Sequence, residues 1–267
     1  MSHDMNRIVG SHDIVLMTLD TLRFDIADAS FRGGETPEFK RLFPGGWEPR
    51  HSPGSFTYAA HHAFFAGFLP TPVSPPWPQR LFAARFAGSE TTGPCTYVFD
   101  APDFVSGLRQ AGYHTICIGG VGFFNKRTPL SSVFPSLFDE SHWDESLGVT
   151  HPNSTRLQFE LAAERLKAFP ADQRVFLFIN LSAIHQPNRH YLPGAELDGM
   201  ETHAAALRYV DRQLPILTSA LRKRAETFMI ACSDHGTLYG EEGFTGHRVG
   251  HPAVWTVPYA ETIVSRL

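Results

Sequence analysis

Cysteine is scarce in this chain of 267 residues: Cys95, Cys117 and Cys232, widely spaced, are all there is. An odd, scattered set makes neither a disulfide framework nor a zinc knuckle. Cys117 and Cys232 lie in apolar runs and are expected to behave as small buried hydrophobes. No stretch approaches the ~20 apolar residues of a membrane span. The opening MSHDMNRIVGSHD has no apolar segment of the kind a secretory signal carries. These absences lead to the expectation of a cytoplasmic protein with no membrane partner. Positive charge is not in excess either. The 23 Lys and Arg against 27 Asp and Glu give a net charge of -4, which argues against a nucleic-acid partner. There is no internal repeat, and GGVG at 119–122 lacks the strand–turn–helix context of a dinucleotide site.

Histidine, by contrast, is plentiful at 14 residues. It is the commonest metal ligand and the natural proton carrier near neutral pH. With 42% hydrophobic residues the chain suits a single compact domain over 1–267. Four nearly continuous apolar runs predict buried strands: DIVLMTL (13–19), YHTICIG (113–119), RVFLFINL (174–181) and TFMIACS (227–233). Helical patterns over 101–112, 153–169 and 202–225 precede the last three, with Pro215 placed to kink or divide the longest. The alternation predicts an α/β fold: a three-layer sandwich with a mostly parallel central sheet covered by helices. The Pro-rich 69–79 stretch begins an expected extended insertion loop over 69–100. Arg222, Lys223 and Arg224 are expected on the solvated last turn of a helix, where the dipole favours cations.

In open α/β sheets, ligands bind beyond the carboxyl ends of the strands. Asp20 follows the first predicted strand, GGVGFFNKR the second, His185 the third, and Asp234 with His235 the fourth. Two carboxylates and an imidazole can hold a divalent cation. The alternative is that Asp20 caps a helix and His235 is a hydrogen-bonded loop residue. A short helix is expected over 58–66, ended by Gly67 and Pro70, with Ser55 and Thr57 at its start, near the positive end of the dipole. His61, four residues after Thr57, shares its face; the plainer reading is that Thr57 caps the helix and His61 packs beside it.

Together these segments resemble the sulfatase-like branch of the alkaline phosphatase superfamily. DIVLMTLDTLRFD is similar to its opening strand with Asp-Thr-Leu-Arg-x-Asp, and TPEFKRL (36–42) to its Thr-Pro-Asn-Leu helix start. Thr57, His61, Gly67 and Pro70 have the spacing of its nucleophile segment. LRQAGYHTICIGG, His185-Gln186-Pro187, CSDHGTLYGEEG and HRVGHPAVWTVPY resemble, in order, its later elements, so the likeness runs from about residue 13 to residue 259. The resemblance implies an alkaline-phosphatase-like core without the usual C-terminal subdomain. It implies one divalent metal ion held by Asp20, Thr57, Asp234 and His235, zinc first, with manganese or magnesium as alternatives. Thr57 is then the nucleophile, and His185 and His247 act on the transferred group. His61, Asn125 and His251 are further substrate-contact candidates, while Arg23 is expected to brace the first loop.

The departures from the family pattern narrow the chemistry. Thr57-Tyr-Ala-Ala-His61 cannot mature to the formylglycine of sulfatases. Gly120 stands where sulfatases place a lysine, Thr21 replaces the second acid of their Asp-Asp pair, and Leu181 occupies a position where two-zinc phosphatases have an aspartate. The expected activity is that of a metal-dependent hydrolase or transferase acting on a small-molecule phosphate ester, monoester or diester, through a threonine nucleophile. The alternatives are a sulfatase or phosphonate-ester hydrolase on the same fold, or a non-catalytic accessory protein that retains it. Oligomeric state is not legible.

Overall fold

The computed structural model describes residues 3–67 and 103–267. The expected 69–100 insertion, its Pro-rich start, Pro70 and Cys95 lie outside the described residues. The strands are β1 (Asp13–Leu19), β2 (Glu48–His51), β3 (His114–Ile118), β4 (Glu140–His142), β5 (Val175–Leu181), β6 (Thr227–Cys232), β7 (Leu238–Tyr239), β8 (Thr245–Gly246) and β9 (Thr256–Val264). The helices are α1 (Met5–Ile8), α2 (Phe24–Arg32), α3 (Pro37–Leu42), α4 (Thr57–Ala66), α5 (Phe104–Gln110), α6 (Pro129–Ser132), α7 (Ser154–Lys167), α8 (Met200–Arg224) and α9 (Pro252–Trp255).

Among the described residues, seven strands form one sheet in the order β2-β9-β6-β1-β5-β3-β4. From β6 to β4 all neighbours are parallel; β9 runs antiparallel to β6, and β2 to β9. Strand alternation divides the core into two faces of different character. Val175, Leu177, Ile179 and Leu181 of β5 join Val15, Met17 and Leu19 of β1 against α2, α3, α7 and α8. Phe176 and Phe178 point the other way, into a phenylalanine-rich layer with Phe65 of α4 and Val105 and Leu108 of α5. Helices on both faces give the expected three layers. Thr18 and Asn180 continue this second face at the carboxyl ends of β1 and β5, and both are fully buried. Polar groups so placed beneath α4 need partners, and they find them at the site described below.

Pro215 does not divide α8, which runs 25 residues with the proline inside. Asp211, one turn earlier, accepts the backbone N–H groups of Phe39 (2.8 Å) and Glu38 (3.3 Å), so α8 caps the start of α3.

The basic run at the end of α8 corrects an expectation. Arg224 is buried, not solvated. Its Nε is 2.7 Å from Asp13 Oδ2, and its other nitrogens donate to the carbonyls of Leu166, Phe169, Pro170 and Gln173. The partner lies 211 positions away in the chain, so no local pattern could reveal it. Removing the guanidinium leaves Asp13 as a buried charge with the Val175 N–H at 2.9 Å and Arg174 at 3.6 Å. Arg224→Ala is expected to lower the unfolding free energy by about 3–5 kcal/mol in urea melts; a loss under about 1 kcal/mol would show that the pair contributes little.

Candidate metal centre and active site

The site lies at the carboxyl ends of the three central strands. Asp20 follows β1, Asp234 and His235 follow β6, and β5 between its neighbours supplies Asn180. Each acid is anchored through one oxygen. Asp234 Oδ1 accepts the backbone N–H groups of Thr21 (3.2 Å) and His235 (3.0 Å). Asp20 Oδ2 accepts from Asn180 Nδ2 at 3.1 Å. The other oxygens, Asp20 Oδ1 and Asp234 Oδ2, are buried with no hydrogen-bond partner. His235 Nδ1 lies 2.9 Å from the Gly236 carbonyl, to which it donates. Its lone pair is therefore on Nε2, which is 3.4 Å from Asp234 Oδ2 and 3.9 Å from Asp20 Oδ1.

Three donor atoms thus lie within 4.8 Å of one another, all from fully buried residues. Burial, and then the charge of Asp234, push the Asp20 carboxyl up to about 6; burial pushes Asp234 up to about 7 against the pull of its backbone hydrogen bonds. Two unsatisfied buried carboxylate oxygens and an imidazole lone pair form a donor set that fits a divalent cation. The Gly236 N–H donates to the Val254 carbonyl (2.6 Å) and closes the turn beneath it, where a Cβ would meet Ala253 O at 1.9 Å. Only glycine fits there.

Thr57 is the first residue of α4 and is buried. Its Oγ1 is 3.3 Å from His235 Nε2 and 3.4 Å from Asp20 Oδ2. His247 lies against His235, ring centroids 4.5 Å apart and planes tilted by 39°, and the His185 ring centre is 5.8 Å from that of His247. Burial, reinforced by the His235 and His185 charges, pushes the His247 imidazole down to about 3. The structure therefore brings together Asp20, Thr57, His185, Asp234, His235 and His247.

Asn125 and His251 are not part of this group, and His61 lies at its edge, with Nδ1 3.7 Å from Asp234 Oδ2. His61 is fully buried, with Nδ1 2.8 Å from the Thr57 carbonyl and Nε2 3.1 Å from Thr18 Oγ1. Both its ring nitrogens are occupied, so it ties α4 to β1. Asn125 Oδ1 accepts the Arg127 N–H at 2.9 Å. His251 caps α9 by accepting the Ala253 N–H at 3.0 Å, and its Nε2 is 3.8 Å from Glu242. Arg23 braces the loop after β1: it is buried, bonds Asp25 at 2.6 and 2.9 Å, and pairs with Glu241. The family departures have visible causes. A side chain at Gly120 would meet Asn180 O at 2.3 Å, and Leu181 is buried in the aliphatic core.

Asn180 is the residue that the sequence reading missed. Its Nδ2 holds Asp20 and Thr18 (3.1 and 3.2 Å), and its Oδ1 accepts the Val121 N–H at 3.0 Å. The available signal was an asparagine inside an otherwise apolar strand, a position that must be satisfied by specific partners.

His203 of α8 underlies the site. Its Nδ1 is 2.8 Å from Tyr239 Oη, and burial pushes it down to about 3. The unfolded chain takes up a proton near pH 6.5 that the folded protein refuses until about pH 3. Stability contributed by neutral His203 is thus complete above pH 6.5 and falls as pH drops through that window. Between pH 7 and 5 the unmodified protein is expected to lose about 1–2 kcal/mol more than His203→Gln. Parallel urea melts at the two pH values check this; identical losses would refute it.

With this geometry established, the relationships of the chain can be read. The model of the Sulfatase family matches residues 12–259. The chain belongs to the Sulfatase family. It is accordingly a sulfatase-like enzyme of the alkaline phosphatase superfamily, acting on ester bonds. No curated protein matches it. Solved structures show the same fold at low identity. The periplasmic domain of phosphoethanolamine transferase EptC from Campylobacter jejuni is 16% identical with a TM-score of 0.64, over 95% of this chain and 79% of that one. The integral membrane phosphoethanolamine transferase EptA from Neisseria meningitidis is 15% identical with a TM-score of 0.63; this chain covers 48% of its length. The lipoteichoic acid synthase LtaP from Listeria monocytogenes is 13% identical with a TM-score of 0.62, over 94% of this chain and 65% of that one.

These neighbours correct the expected cytoplasmic location. They include periplasmic domains and an integral membrane protein, which point outside the cytoplasm. The expectation of no membrane association goes with it. The physical reason is that a globular domain working beside a membrane carries the same composition as a cytoplasmic one. Among the described residues no helix is long and apolar enough to cross a membrane.

Proposed function

We propose that this Sulfatase-family protein transfers or hydrolyses a phosphate-ester group through Thr57, on the extracytoplasmic side of a membrane. The observation that carries the reading is the Thr57 hydroxyl, within 3.4 Å of both Asp20 and His235, beside two carboxylate oxygens that lack partners. The neighbours are named as phosphoethanolamine transferases and a lipoteichoic acid synthase, which favours phospho-group transfer over sulfate-ester cleavage.

Asp20, Asp234 and His235, with Thr57 Oγ1, would hold the cation. When bound, it supplies charge neutralisation for the phosphoryl oxygens and a lowered hydroxyl pKa. Zinc is the first choice on its imidazole donor, in keeping with the zinc complex of the Escherichia coli EptC domain; manganese and magnesium suit the oxygen donors. Thr57 Oγ1 forms the new bond to phosphorus as the ester oxygen leaves in line. Its proton departs toward Asp20 Oδ2. His185 and His247 orient the transferred group and hydrogen-bond the departing oxygen. Water or an acceptor alcohol then releases the group from Thr57.

A panel of aryl phosphate monoester, phosphodiester and sulfate ester, assayed with zinc or manganese, tests the reading. Turnover of a phosphoester well above the sulfate ester is expected. Preference for the sulfate ester, or no turnover of any ester by metal-bearing protein, would overturn it.

A further inference from the structure

The geometry points to Arg248 as the residue that binds a second anionic group on the substrate, beyond the phosphoryl group being transferred. The inference rests on the phosphoester reading and adds the substrate's charge pattern to it.

Arg248 follows His247 directly and is exposed. Its backbone N–H donates to the Ser55 carbonyl at 2.9 Å. Its guanidinium carbon lies 5.6 Å from the centre of the Phe56 ring. Ser55 and Phe56 are the two residues before Thr57, so two contacts fix Arg248 against the entrance to α4. Its φ of +73° is in the left-handed region that side chains other than glycine seldom adopt. The fold keeps an arginine at this position in spite of that strain. Its place beside the site is set by these contacts, to the two residues before Thr57 and next to His247 in the chain.

Among the described residues Arg248 forms no ion pair with a carboxylate. Arg23, the other arginine of the region, is committed to Asp25 and Glu241. A stacked but unpaired guanidinium offers a planar fork of donors suited to carboxylate or phosphate oxygens. The aromatic face beneath it limits the freedom lost on binding. Under the proposed function His185 and His247 already serve the reacting group. Arg248, exposed and next to His247 in the chain, is the cation left to meet a charged substituent of the ester.

The test compares two phosphonates that differ in one charge, 2-carboxyethylphosphonate and propylphosphonate. Their binding to metal-loaded protein is read by calorimetry, and their p-nitrophenyl esters are used for turnover. The unmodified protein is expected to bind the carboxylate compound about tenfold more tightly, as one charge-assisted contact allows. Arg248→Gln removes that preference and raises KM for the anionic ester about tenfold, with kcat changed less than about twofold. Arg248→Gly deletes the side chain without strain at this φ and is expected to match the glutamine variant. Equal affinity for the two compounds in the unmodified protein overturns the proposal. So does an equal loss for both compounds in the variants, which would place Arg248 on the common phosphoryl group. A charge preference that depends on Arg248, in metal-loaded protein that turns over neither an aryl phosphate monoester nor a phosphodiester, would support the anion site and refute the ester-transfer reading alone.

Discussion

Replacing Thr57 by valine is expected to lower turnover by about four orders of magnitude or more. The substitution keeps the branched shape and the volume at the start of α4 and removes only the hydroxyl. Thr57 Oγ1 contacts Asp20 and His235 at 3.4 and 3.3 Å, which are long hydrogen bonds, so their loss should cost about 1 kcal/mol of stability. The melting temperature should therefore fall by only a few degrees, roughly 2–4 °C for a chain of this size. Thr57→Ser retains the oxygen but frees its rotation, because the methyl that restricts χ1 is gone. It should keep measurable activity, far above the valine variant. Near-normal turnover by Thr57→Val on a confirmed phosphoester would rule out the threonine as nucleophile.

Asp234→Asn separates the two jobs of the donor set. Unmodified protein purified with zinc should carry about one divalent ion per chain, and the variant should carry almost none, since loss of a ligand exceeds the ~10–100-fold effect of an outer-shell change. The metal-free state should respond in the opposite sense. Both buried carboxyls are pushed upward, Asp20 to about 6 and Asp234 to about 7. A raised carboxyl favours folding below its ordinary value of 3.8 and loses that stability as pH rises through the folded value. At pH 8 the metal-free protein bears both charges. Removing one should leave metal-free Asp234→Asn as stable as metal-free unmodified protein or more so, with a flatter dependence between pH 5 and 8. Cation at a hundredfold excess over its Kd should then stabilise the unmodified protein by about 2.7 kcal/mol and leave the variant unmoved. Metal content by elemental analysis and thermal melts with and without zinc check both halves. A variant that keeps stoichiometric metal would remove Asp234 from the donor set.

The central strands and their trailing acids were legible because burial on both faces leaves continuous apolar runs, and the residue after such a run stands at the ligand-binding edge. β1, β5 and β6 and the positions of Asp20, Asp234 and His235 follow from that alone. The outer strands were not legible. β2 is Glu-Pro-Arg-His with every residue exposed, and β9 mixes Pro258 and Glu261 with apolar residues because it is only partly buried. What failed more generally was anything decided by a distant partner. Arg224 looks solvated until Asp13 is placed beside it. Asn180 looks like an interruption until Asp20 needs a donor. His61 shares a face with Thr57, as its spacing predicts, but that face turns toward Phe124, Phe134 and Phe178. It packs among those rings with Nδ1 still 3.7 Å from Asp234 Oδ2, and burial pushes it down to about 3.

The order β6-β1-β5 at the middle of the sheet has a consequence for how the site responds to change elsewhere. Asp234, Asp20 and Asn180 each sit on, or just after, one of three adjoining strands, so their separations are set by the interstrand ladder. The sheet is a ruler for the donors. A one-residue slip of β6 against β1 would carry Asp234 to the opposite face. Substitutions deep in the aliphatic or phenylalanine layers, far from any ligand, should thus be detectable as changes in the spacing and affinity of the donor set, well before the fold itself is lost.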